Sequence, residues 1–528
     1  MSVAPRTRRG KEGRMPQDTS GVKPTLGLTG VTVNAMALIA PGAFLWITYQ
    51  LQAAATAPDG SSVASDIWAG IGFALILAFL TAISYAQLAR IYPEAGFGSC
   101  YYFAEKAFLD RENKEHHRWA RLAKIVTGWA AHLFYWVYPG VMVAMMATLV
   151  SYVYNQLTGN TMSVTSMIIF SGFFAALTGY IAFRGVTGST FTSLMINVIQ
   201  LSTLVLFSVL AIYYRLGNPE HATQWHFSGG WDVIRPHSLQ GILIQSTIAI
   251  LILVGFESCT AFAAETVDPH KNIPRAVILS LVIQGLIAYL FEYFAAGFMV
   301  SEKLAGTDST GAAVTGLAAA AASSAPIGDM AIRVGDAVLG GIGFALMITI
   351  AVTVGLAILG TTLSCLNTAV RVSYAMAQDR EMPEILGALH GRFATPHRAI
   401  WVLVVVSTLI AAIGVQSVVG LTGIGLASNF GTFVLYGLTC MWCIIAFAGR
   451  PDFSFLKHVL VPGVGLVMNV AMLGAILYLY VIGNADAQHE AYICLGIAGG
   501  WAVISVLYVA LSGMRTGRKL MPATRSVA

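Results

Sequence analysis

Ile39-Ala40-Pro41-Gly42-Ala43-Phe44 lies at the middle of an apolar run, Thr29–Leu51, and sets a residue without a backbone N–H directly before the most flexible residue. In a helix crossing a bilayer this removes an internal hydrogen bond where no water replaces it. Two readings stand at this point. One is a proline kink repaired by a neighbouring helix. The other is a discontinuous helix whose second half starts near Pro41 and aims free N–H groups and a positive dipole end at an anionic ligand group. A counterpart, Leu253-Val254-Gly255-Phe256-Glu257-Ser258, puts a glycine and a carboxylate inside another apolar run, Gly241–Ala263. Counted along the chain these are the first and sixth such runs, and two interrupted spans five apart are what a site between two inverted repeats requires. The pair favours the discontinuous reading.

Outward from these two, the apolar runs number twelve: Thr29–Leu51, Ile67–Ala89, Ile125–Tyr154, Ser166–Ala182, Phe191–Tyr214, Gly241–Ala263, Ala276–Val300, Gly335–Tyr374, Ala399–Gly414, Leu421–Ala448, Val459–Ile482 and Tyr492–Leu511. Most approach or exceed the ~20 residues a helix needs to cross the hydrocarbon layer. The composition agrees, with 56% hydrophobic and only 10% charged residues where a soluble domain carries about 25% charged. The expected fold is an all-α integral membrane protein of twelve transmembrane helices, broken in helices 1 and 6.

Charge fixes the expected orientation. With the N-terminus in the cytoplasm, all but Arg215, Arg235, Lys303 and Arg333 of the 30 Lys and Arg fall in cytoplasmic segments, so the positive-inside rule places both termini there. One span more or fewer would reverse every later loop and destroy that asymmetry. The net charge of +5 then belongs to loops facing anionic lipid, and no nucleic-acid partner is needed. The N-terminal stretch to Lys23 is basic with no apolar core, which reads as a loose tail and not a signal peptide. The Ala- and Gly-rich segment Ala305–Met330 reads either as a flexible linker or as a short Ala-rich helix over the extracellular mouth; a linker with some helix and no chemistry is expected. The six cysteines fall in or beside apolar runs, and the Cys440-x-x-Cys443 pair reads as helix packing; no metal site and no cofactor are expected.

Glu257 needs a reason to be in a membrane span, since an acid there costs about 2.5–3.5 kcal/mol on insertion scales. It is either a protonated packing residue or a coupling or gating group. Glu292 in the seventh span raises the same question without a flanking break, and His132 in the third reads as a packing histidine. Among aromatics near the breaks, Phe44, Phe256, Tyr138 and Phe430 are the candidate walls of a pocket.

Three further stretches carry a resemblance. Gly255-Phe256-Glu257 continues into Ala264-Glu265-Thr266-Val267-Asp268-Pro269-His270-Lys271-Asn272-Ile273-Pro274-Arg275-Ala276; Tyr85-Ala86-Gln87-Leu88-Ala89-Arg90-Ile91-Tyr92-Pro93-Glu94-Ala95-Gly96 closes the second span; and Ser364-Cys365-Leu366-Asn367 runs on to Tyr374-Ala375-Met376-Ala377-Gln378-Asp379. With the broken first span these resemble the amino acid, polyamine and organocation (APC) superfamily of permeases. The resemblance implies a leucine-transporter-type fold: a tail at 1–26, a first inverted five-helix repeat at 27–215, a second at 216–448, two further helices at 449–512 and a tail at 513–528. It also implies that N–H groups of Gly42, Ala43 and Phe44 take a substrate carboxylate. Carbonyls of Ile39 and Ala40 and of Leu253, Val254 and Gly255 would take the amine, and Glu257 and Asn367 would serve coupling or gating. A β-branched side chain at Gly42 would then fill ligand space and stop uptake. Two features depart from the pattern: Ala40-Pro41-Gly42 keeps only the second glycine of the usual G-x-G, and Gln200 stands where members coupled through a fifth-span lysine carry that cation.

The function expected is a secondary permease in the cytoplasmic membrane moving an amino acid by alternating access, as proton-linked symport or exchange. H⁺ and Na⁺ are the candidate coupling ions. An amine or polyamine permease and a non-transporting nutrient sensor are the alternatives. No Ser/His, Cys/His or metal constellation points to an enzyme.

Overall fold

Apolar runs of this length satisfy their own backbone only as helices, and among the described residues twelve helices are long and apolar enough to span a bilayer. The computed structural model describes residues 24–93, 99–111, 114–185, 190–217, 230–300, 304–308, 310–393, 395–518 and 520–521. The basic tail to Lys23, Glu94-Ala95-Gly96, Lys303 and the chain after Met521 lie outside the described residues. The spans are Leu28–Ala54, Ala64–Ile91, Glu115–Thr158, Val164–Phe183, Ser193–Gly217, Leu239–Glu265, Pro269–Met299, Gly343–Gln378, His397–Gly414, Val418–Phe447, Leu456–Leu479 and Ala485–Arg515, numbered 1 to 12 below. Each overlaps the run expected from sequence.

Span 3 is the central strut. It packs along spans 8, 9 and 10, and span 10 in turn packs on spans 11 and 12. Span 2 lies against spans 6 and 7. Spans 11 and 12 are the least buried, and their Val467, Val481, Val506 and Leu507 face outward as lipid-contact residues do.

Two sequence expectations are corrected. The eighth span does not begin at Gly335. Gly340 and Gly341 both take positive φ (71° and 93°) and turn the chain, so Pro326–Val338 is a separate helix folded back on the start of span 8. The segment 305–330 is also more than a linker. Ala305–Thr307 pairs antiparallel with Ala313–Thr315, and helix Gly316–Ala322 then packs on the second half of span 1. The following helix, Pro326–Val338, also approaches span 1 closely: a Cβ on Gly328 would sit 2.7 Å from Tyr152 and 2.8 Å from Trp46. Tyr152 also donates to Asp329 Oδ1 at 2.7 Å, which fastens this cap to span 3.

The cysteines are buried, unpaired thiols. Cys440 rests on Ser84 at 3.6 Å, with Gly465 providing the room, so this pair serves packing between spans 2, 10 and 11. His132 is held at both ring nitrogens, by the Gly128 carbonyl at 2.7 Å and the Ser373 hydroxyl at 2.9 Å.

Candidate functional site

Span 1 is two helices. The first, Leu28–Ile39, ends at Ala40, whose φ of 29° and ψ of 75° lie outside any helix, and the second, Pro41–Ala54, starts with proline at its first position. Proline has no N–H to offer the preceding turn and is preorganised to start the next. The Ala43 N–H returns to the Ala40 carbonyl at 3.1 Å. The end of the first half is tied down from two sides: Tyr289 of span 7 donates to the Ile39 carbonyl at 2.8 Å, and Thr361 of span 8 to the Ala37 carbonyl at 3.0 Å.

Span 6 breaks differently. Its first helix, Leu239–Leu253, gives way to extended Val254 and to Gly255 at φ 124°, and the chain continues as a tighter helix over Phe256–Glu265. A Cβ on Gly255 would lie 2.8 Å from Leu38 Cβ. Only glycine fits both the dihedral and the contact. The same contact brings the two breaks together, because Leu38 is two residues before Ala40.

Glu257 sits at that junction, 1% exposed. Its Oε1 accepts from Tyr135 of span 3 at 3.0 Å, and its Oε2 from Tyr436 of span 10 at 2.7 Å and from the Gly255 N–H at 3.0 Å. A buried carboxylate with three donors is satisfied in place. It also joins spans 3, 6 and 10 at one atom group.

Aromatic rings wall the junction on two sides. Phe44 lies 6.0 Å from Tyr138, which stacks edge-on to Phe134 at 5.4 Å. Phe256 lies 5.3 Å from Tyr436 and 6.2 Å from Tyr85. Phe430 is half-buried on span 10. Asn367 is half-buried on span 8 and is not among the groups bound to Glu257; it lies one helical turn before Arg371, on the same face.

The structure changes the role read for Gly42. A Cβ there would meet Gln200 Oε1 at 3.2 Å and Ala357 at 3.7 Å, so the glycine lets span 1 approach spans 5 and 8. Gln200 joins a buried amide group: its Nε2 and that of Gln284 both donate to Asn197 Oδ1, at 2.9 and 3.0 Å. Glu292 is fully buried with no hydrogen-bond partner on either oxygen among the described residues, which makes it a stronger candidate than its flanking sequence suggested.

The site is closed at both ends. At one, Arg371 of span 8 pairs with Glu265 at 2.8 Å and donates to the Ala261 carbonyl at 3.2 Å, while Ser99 bonds Thr260 and the Thr25 and Leu26 N–H groups bond the Glu265 carbonyl. At the other, Thr48 and Tyr293 share a 2.5 Å hydrogen bond, and Gln245 ties the Gln52 and Val63 carbonyls together at 2.8 and 3.1 Å.

Tyr436 and Tyr289 were not singled out from sequence. A tyrosine in an apolar helix carries no periodic signal, and its use depends on which span lies opposite.

Comparison with known proteins agrees with this architecture. The chain is similar to the methylthioribose transporter of Bacillus subtilis (23% identical over 406 residues, 76% of each chain). It is similar to the branched-chain amino acid permease BcaP of the same organism (22% over 308 residues, 58% of this chain and 57% of that one). It also matches the low-affinity putrescine importer PlaP of Escherichia coli (25% over 224 residues, 42% and 44%). The amino acid permease family model matches residues 25–503, and the chain belongs to that family of membrane transporters.

Proposed function

We propose that the chain moves an amino acid across the cytoplasmic membrane by alternating access, and that the substrate zwitterion lies between the two breaks. The observation carrying this reading is the contact of Gly255 with Leu38, which sets the start of one half-helix against the end of another. The first turn after Pro41 has the N–H groups of Gly42, Ala43 and Phe44 at a positive dipole end, suited to a carboxylate, that of Ala43 serving only when it leaves the Ala40 carbonyl. The Ala40, Leu253 and Val254 carbonyls lie at half-helix C-terminal ends, where partial negative charge suits an ammonium group. The Ile39 carbonyl serves only when Tyr289 lets go of it. Phe44, Tyr138, Phe256 and Phe430 wall the side chain. The broken spans hold equivalent places in two five-helix repeats, and both termini face the cytoplasm.

Glu257 is the coupling group. Adding a proton to its carboxylate weakens acceptance from Tyr135, Tyr436 and Gly255 together, so protonation loosens spans 3, 6 and 10 at one step. Asn367 shares the span 8 face of Arg371, which pairs with Glu265, and this neighbourhood supports a gating role for it. Symport with protons and exchange both use this arrangement.

A decarboxylated amine or polyamine is the second reading, favoured by the carbonyl ends and by the putrescine importer among the relatives. Purified protein in liposomes, offered labelled amino acids and their decarboxylated amines with and without pH and Na⁺ gradients, separates the two. Uptake of an amino acid that exceeds that of its amine supports the first reading; equal or greater amine uptake supports the second. No flux of either under any gradient would sink both.

A further inference from the structure

We propose that the adjoining ends of spans 4 and 9, at the end of the bundle where span 1 begins, form a binding site for a phospholipid with an anionic headgroup. Span 4 finishes at Phe183 and is followed by Arg184; span 9 starts at His397 and is preceded by the loop holding His390, Arg392 and Phe393. The Thr395 hydroxyl donates to the Phe183 carbonyl at 3.0 Å, which fastens that loop to the end of span 4.

The cations are held in place by rings and not by acids. The Arg184 guanidinium lies 5.5 Å from the Phe393 ring centre and donates to the Tyr180 hydroxyl at 3.1 Å, and the Arg392 guanidinium lies 5.4 Å from the same ring. Phe183 meets His390 and Phe393 at 5.0 and 5.2 Å. Arg184, Arg392 and Arg398 are exposed, and none has an acidic partner among the described residues. The sequence explains why: no Asp or Glu occurs in 164–190 or in 386–414. The nearest acid along the chain, Glu384, is taken by Arg380 at 2.9 Å. Other arginines at this end of the bundle are paired with acids, Arg90 with Asp452, Arg121 with Glu381 and Arg371 with Glu265 among them. Arg184 and Arg392 share the Phe393 ring and Arg398 is the second residue of span 9, and three cations without acidic partners at these adjoining ends fit a multiply oxygenated anion.

The surface beneath selects a lipid over a soluble anion. Tyr180 and Trp401 are 48% and 41% exposed directly below the cations, the usual place for rings at a membrane interface. Phe173 and Leu177 of span 4 and Val405 and Leu409 of span 9 continue that exposed face into the apolar zone, giving acyl chains a surface contiguous with the headgroup site.

The test uses full-length protein purified in detergent and thermally unfolded during titration with phosphatidylglycerol, with phosphatidylcholine of the same chains, or with inorganic phosphate. Phosphatidylglycerol is expected to stabilise saturably, at a concentration at least about tenfold below that needed for phosphatidylcholine, and the preference is expected to shrink as salt is raised. The triple variant Arg184→Gln, Arg392→Gln, Arg398→Gln is expected to lose the preference, with each arginine contributing about fivefold. Arg235→Gln, at the opposite end of the bundle, is expected to keep it. If the triple variant does not fold, Arg392→Gln alone, whose contacts are on the surface, is expected to lower the preference about fivefold. Equal stabilisation by the two lipids, an unchanged preference in the variants that fold, or stabilisation by phosphate alone would each overturn the proposal.

Discussion

The break in span 1 and the break in span 6 face each other across a few ångströms, yet they are made by different means. In span 1 the local sequence favours a break, because Pro41 withholds a donor and the residue at the turn is an alanine held at φ 29°, although Pro139 is accommodated inside the unbroken helix of span 3. In span 6 nothing in the local chemistry requires a stop. Gly255 permits φ 124°, and the turn is fixed by what surrounds it: Leu38 against the glycine, and Glu257 bending back to the Gly255 N–H while Tyr135 and Tyr436 hold its oxygens. One break is written into the residue that makes it, and the other depends on three further spans. A break of the second kind is the one able to respond to a proton or a substrate, because its supports can be removed without altering the backbone.

The largest effect should come from the glycine that both conditions select. Gly255→Ala places a Cβ against Leu38 and forces an L residue to φ 124°. Strain of about 1–3 kcal/mol corresponds to roughly a 5- to 150-fold loss. Liposome uptake should fall by that factor while the amount of protein in the membrane is retained, and unchanged uptake would show that the breaks need not touch. Glu257→Gln comes next. It keeps the shape but removes the ionisable group, so uptake should fall about tenfold at its optimum, within the ~1.5–3 kcal/mol of a bond to a charged group, and its pH profile should flatten. A profile that keeps its shape would make Glu257 a structural residue.

Tyr436→Phe removes one of the three donors and should lower uptake only a few-fold, with Tyr135→Phe smaller again because its bond is longer, 3.0 against 2.7 Å. Both should displace the pH profile of uptake, which a merely packing role would leave in place. The smallest effect is expected at the other break. Ala40→Gly relieves the positive φ at the turn, so uptake should persist and thermal stability should change by no more than about 1 kcal/mol. A large loss of transport there would mean that the span 1 turn, too, is held by its surroundings.

The same contrast explains what was legible in the sequence. Span number follows from hydropathy and from the placement of Lys and Arg, and the Pro41 break follows from one residue, so both are visible along the chain. The span 6 break is legible as a glycine beside an acid, but the donors to that acid are not, because Tyr135 and Tyr436 are 122 and 179 residues away. Gly42 shows the limit from the other side: a glycine at a break reads as ligand room, and only the neighbours Gln200 and Ala357 reveal that helix packing uses it. The cap over 316–322 is legible only as one of two alternatives for a related reason. An Ala-rich stretch has no amphipathic stripe strong enough to distinguish a packed helix from a linker.

A cryo-electron microscopy structure with the transported amino acid bound tests the account most directly. The carboxylate should lie within hydrogen-bonding distance of the Gly42, Ala43 or Phe44 N–H groups, with the ammonium group on carbonyls between Leu253 and Gly255. Substrate density away from both turns, or a continuous helix through Pro41 in that complex, would contradict it.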